Sequence, residues 1–90
     1  MIEKMIEKLA QLERLEEIAN HAEADYDKEP ENAEAEKRFD LAYQNEYNAF
    51  IELATMLSDY IGVDIKTSRS MIQGKRKELW NILKSASMAE

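Results

Sequence analysis

The side chains able to do chemistry in this chain fall, by type and spacing, into two groups. The first is Glu17, His21 and Asp25, spaced four apart, which on a helix aligns a carboxylate, an imidazole and a carboxylate on one face. Those donor types suit a divalent cation. His21, however, lies about 200° around the helix from Ala19 on the apolar stripe described below, and so points to solvent. Metal-binding bundles carry inward Glu-x-x-His motifs on two helices, and the sequence has none. The expectation is therefore no metal and no cofactor. The second group is basic and aromatic: Arg69, Gln73, Arg76, Lys77, Trp80 and Lys84. With Leu79 at the origin of a helical wheel, all six fall between about 60° and 160°. Such a face can grip phosphates through its cations, or dock an acidic protein around Trp80.

Catalysis finds little support. A general acid or base needs a desolvated pocket and a positioned partner, whereas the carboxylates here fall on expected solvent faces. Cysteine is absent and the single histidine points outward, which leaves Ser68, Ser70, Ser85 and Ser87 without a base. No catalytic residues are assigned, and a non-enzymatic role is expected.

The elements that would carry these groups follow from composition and period. Ninety residues with two glycines and one proline enclose one modest core and favour helix almost throughout. Apolar residues Ile2, Met5, Leu9, Leu12, Leu15, Ala19, Ala22 and Tyr26 recur at steps of three and four, which predicts helix 1 over about 2–28. A turn at Pro30 separates it from helix 2, about 31–61, with the stripe Phe39, Tyr43, Tyr47, Phe50, Ala54, Leu57 and Ile61 and a C-terminal cap at Gly62. Asp64 or Thr67 is placed to cap helix 3, about 67–86, whose core line is Ser68, Ile72, Leu79, Leu83 and Ala86. The predicted fold is all-α: an antiparallel coiled-coil hairpin, with residues whose numbers sum to about 61 facing one another, and a shorter third helix packed on it as a three-helix bundle. At about 1.5 Å per residue that helix cannot cover the hairpin, and the Pro30 end is expected to stay bare. Tyr26, Phe39 and Tyr43 then sit near the bare tip, packed along the hairpin or buried in a homodimer.

Charge divides the chain. Residues 1–64 hold 17 Asp/Glu against 6 Lys/Arg, and residues 65–90 hold 2 against 6, within a net charge of −7. The overall field repels polyanions, so only the local basic face would bind nucleic acid. The same carboxylates can also neutralise that face from within, which makes Arg69 to Lys84 either a partner-binding site or a structural complement to the hairpin. The start lacks the apolar run of a signal peptide and no stretch spans a bilayer, which predicts a cytoplasmic protein with no membrane partner. Leu57, Gly62 and Val63 before Thr67-Ser68-Arg69 suggest a helix-turn-helix, but a serine occupies the position of its buried aliphatic residue and the turn is short. Nucleic-acid binding by helix 3 remains the alternative to protein binding.

The segments Asp27-Lys28-Glu29-Pro30-Glu31-Asn32, Phe39-Asp40-x-Ala42-Tyr43, Asp64-Ile65-Lys66-Thr67, Met71-Ile72 and Lys75-Arg76-Lys77-Glu78-Leu79 together resemble short acidic helical proteins of phages and prophages of Gram-positive bacteria. The resemblance implies a context, in which such proteins act by binding a host or phage protein.

Overall fold

Steps of three and four between apolar residues become one long helix in the first segment. Helix α1 spans Ile2–Lys28, and Ile2, Met5, Leu9, Leu12 and Ala19 are its buried residues. The structure, a computed structural model, describes residues 1–89. Among them the secondary structure is helical, with no strand. Helix α1 ends at Glu29, whose N–H still donates to the Asp25 carbonyl at 3.2 Å. Pro30 follows, and Asn32 then starts α2, Ala33–Ile61: its side-chain oxygen accepts from the backbone N–H of Glu34 at 3.0 Å and of Ala35 at 3.3 Å. Those are two of the donors that a helix start leaves without partners.

Helix α2 runs antiparallel to α1. Lys8 Nζ meets Glu52 Oε2 at 2.6 Å toward one end, and the Tyr26 and Phe39 rings stack at 5.8 Å toward the other. Gly62 ends α2 in the left-handed region, at φ 80°, where a side chain would crowd its own backbone. Two residues later Asp64 caps α3, Ile65–Gly74, by accepting from Thr67 N–H at 2.8 Å. Hydrogen bonding to Thr67 holds the Asp64 carboxyl below its ordinary value.

The third predicted helix is two helices. Lys75 leaves the helical region at φ −132°, ψ 42°, and α4, Arg76–Ala89, starts on a new axis. The expected three-helix bundle is thus corrected to four helices among the described residues. Gly74 precedes the break and supplies the weak helix propensity that makes it inexpensive. The reason for bending is apolar coverage. One straight helix would lie along a single groove, whereas the bent pair packs α3 on α2 and α4 on α1. The chain rises along α2, where the Ser68 and Ser58 hydroxyls meet at 3.0 Å, and returns along α1, where Arg76 reaches Glu16 and Trp80 reaches Glu13.

Leu9, Leu12, Leu53, Leu57, Ile72, Leu79 and Leu83 are all buried in the resulting core, at about 1.5–3 kcal/mol for each large side chain taken from water. Beyond it the hairpin continues as a bare two-helix arm, closed by Ala19, Ala35 and Ala42. The molecule is accordingly elongated, 50 × 23 × 19 Å.

The two glycines should respond oppositely to alanine. At Gly62 the positive φ makes a side chain strained, so Gly62→Ala should lose roughly 1–2 kcal/mol. At Gly74 an added Cβ meets nothing within 4 Å, and Gly74→Ala should gain up to about 1 kcal/mol. Urea unfolding of both variants tests this; equal losses would refute the assignment of the break to packing.

Candidate functional site

Arg76 opens α4, and its guanidinium is spent inside the molecule. Nε donates to the Ile72 carbonyl at 2.8 Å, bridging the end of α3. Nη1 and Nη2 donate to Glu16 Oε1 at 2.7 Å and Oε2 at 2.9 Å, a two-pronged pairing that only a planar guanidinium makes, and Nη1 also lies 3.4 Å from Glu13 Oε2. Hydrogen bonding to Glu16 raises the Arg76 pKa further, so the group stays charged. One turn on, the Trp80 indole N–H donates to Glu13 Oε1 at 3.0 Å. Two carboxylates of α1 therefore hold the centre of the predicted basic face. Of the remaining members, the break at Lys75 separates Arg69 and Gln73, on α3, whereas Lys77 and Lys84 line one recess of α4 with Glu13, Arg76 and Trp80. Arg69 lies over the Phe50 ring at 5.6 Å on α3, and Lys84 lies over Trp80 at 5.5 Å on α4. Gln73 and Lys77 are exposed on different helices. The wheel put all six on one cylinder; the bend at Lys75 puts Arg69 and Gln73 on one axis and the other four on another.

Where the α3–α4 corner rests on the hairpin, a groove of about 220 Å³ opens between Leu12 and Phe50 at its floor and Tyr43, Glu46, Tyr47 and Gln73 at its rim. The Glu16–Arg76 pair closes one side. Tyr43 and Tyr47, both on the predicted stripe of helix 2 and Tyr43 expected near the bare tip, are 60% and 48% exposed, because α3 stops short of them. Glu46 is half-buried between them, and its carboxyl is pushed up, first by burial and then by the neighbouring Glu16 carboxylate, with Arg76 acting in the opposite direction. Sequence reasoning missed this groove. The signal was present: Tyr43, Glu46, Tyr47 and Phe50 recur at steps of three and four, and a glutamate within an aromatic run marks a boundary between core and surface.

Glu17, His21 and Asp25 are exposed on α1, and among the described residues no three His, Asp or Glu side chains come together as a metal site. Nor, among those residues, is any helix long and apolar enough to cross a membrane.

Glu46 generates a pH prediction. A carboxyl whose folded pKa is raised stabilises the fold below its ordinary value, 4.5, and loses that contribution as pH rises through the folded value. Glu46→Gln should therefore be more stable than the parent at pH 7, by about a few tenths of a kcal/mol because solvent screens most of the repulsion. The gap should close by pH 4. A variant less stable at pH 7 would show that the charged form is favoured in the fold.

In comparison with known proteins, no family model, no curated protein and no solved structure matches the chain.

Proposed function

We propose that the chain is a non-enzymatic protein-binding module, and that its contact surface is the aromatic face of the two-helix arm rather than the basic face of α3 and α4. The observation that carries this is the exposure of Tyr43 and Tyr47, 60% and 48%, beside a groove with an apolar floor. Tyrosine is a preferred anchor at protein interfaces, since its ring supplies contact area and its hydroxyl tolerates water. The basic face offers less. Arg76 and Trp80 already have partners on α1, and Arg69 and Lys84 each lie over a ring.

Two sequence features support the same reading. A net charge of −7 opposes association with polyanions, which weakens the nucleic-acid alternative. The resemblance to small acidic phage and prophage proteins supports a cytoplasmic setting in which the partner is a host or phage protein.

Capture from the native cell with the intact chain tests the surface. A partner held by the parent should be lost at least about tenfold on Tyr43→Ala/Tyr47→Ala, the scale of an interface anchor. It should be retained by Arg69→Ala/Lys84→Ala. The reverse pattern, or nucleic acid that co-purifies and is released by moderate salt, would overturn the proposal.

A further inference from the structure

The charge on the groove-side face of α2 itself is one-sided. On the wheel of α2, Glu36, Phe39, Asp40, Glu46, Tyr47 and Phe50 all fall within about 60° of Tyr43. That arc carries aromatic rings and carboxylates and no cation. The basic residues of this stretch, Lys37 and Arg38, fall about 120° and 140° from Tyr43, with Arg38 in a recess of another face beside Ile18 and Leu41. Across residues 17–45 the arm holds 9 Asp/Glu against 3 Lys/Arg.

Glu16 and Glu46 line the groove with a single cation, Arg76, whose fork is bound to Glu16 and whose other contacts are Glu13 and the Ile72 carbonyl, and Arg69 lies over the Phe50 ring at its floor. Among the described residues Glu46 makes no ion pair. Its carboxylate faces a space of about 220 Å³ between two exposed tyrosines.

We infer that this groove receives an arginine from a basic segment of a partner protein, with Glu46 as its counter-ion and Tyr43 and Tyr47 as the rings on which the guanidinium lies. The inference rests on the reading of the arm as a protein-binding surface and adds the chemistry of the partner. A guanidinium fits better than an ammonium because it is planar, weakly hydrated, stacks on rings and pairs with a carboxylate through two donors. The protein already uses the two-donor pairing once, where Arg76 pairs with Glu16. A protein segment fits better than a free small cation because the arc of carboxylates and rings on α2 continues beyond the groove through Asp40, Phe39 and Glu36. A second copy of the chain fits poorly, since it would bring another arm with the same excess of carboxylates.

The test uses the full chain and a short blocked peptide with two arginines separated by two alanines, compared with lysine and citrulline versions of the same peptide. Nuclear magnetic resonance titration at physiological salt should move the amides of Tyr43, Glu46 and Gln73 with the arginine peptide. The lysine peptide should bind several-fold more weakly, and the citrulline peptide, which keeps the shape and loses the charge, should not bind. Glu46→Gln should weaken the arginine peptide by about tenfold, the worth of one charge-assisted hydrogen-bonded contact. Asp59→Asn, an exposed acid on α2 away from the groove, should leave it unchanged. Equal weakening by both variants would reduce the effect to general attraction and overturn the inference, as would equal binding of the three peptides. So would a dimer in sedimentation that dissolves on Tyr43→Ala/Tyr47→Ala, because the groove would then belong to a second copy. If a native partner depends on Tyr43 and Tyr47 while Glu46→Gln leaves it bound, the arginine site fails and the protein-binding reading stands.

Discussion

The architecture depends on how few apolar side chains the last quarter of the chain has to offer. After Gly62 the buried residues are Ser68, Ile72, Leu79 and Leu83, and they must close a core against two helices of 27 and 29 residues. A single straight helix would shield one groove along part of that length. Breaking at Lys75 shortens the covered length but lets α3 shield α2 and α4 shield α1, so that Leu9, Leu12, Leu53 and Leu57 of the lower hairpin are all buried. The arm is what remains uncovered. Its seam is made of Ala19, Ala35 and Ala42, whose small side chains bring the two helices close without needing a third layer.

Electrostatics then fixes where α4 lies. Its packing line is short, Leu79 and Leu83, and Arg76 with Trp80 supplies the lateral contacts that choose the side facing α1. The Arg76–Glu16 pair is part exposed, 24% and 33%, so its contribution to stability is on the order of 1 kcal/mol or less. Its importance is geometric. By joining the first residue of α4 to the Ile72 carbonyl and to Glu16 at once, the guanidinium sets the position of the corner.

Much of this was legible in the sequence because it rests on local rules. Steps of three and four located the stripe of α1, Gly62 announced the end of α2, and Asp64 was one of two residues named to cap the next helix. The break at Lys75 was not legible. Gly74 costs a helix only about 1 kcal/mol, and a deficit of that size decides nothing until packing on two different neighbours favours a bend. The basic face divides between α3 and α4 for the same reason, since a wheel drawn through residues 69 to 84 assumes one axis. Tyr43 and Tyr47 continue the stripe of Phe50 and Leu57, and periodicity cannot say where the covering layer stops.

That last limit is also why the arm is the part of the molecule that calls for a functional explanation. A stripe of aromatic residues that continues past the end of its covering helix either wastes apolar surface or waits for a partner. On this arm it is bordered by carboxylates at Glu36, Asp40 and Glu46, and the cations of the same helix are turned to other faces. Internal neutralisation, which accounts for Arg76 on α4, is missing there: Arg76 serves Glu13 and Glu16, and among the described residues no lysine or arginine pairs with Glu46. The surface that the fold itself leaves uncompensated, in both apolar coverage and charge, is therefore the acidic aromatic face of the arm.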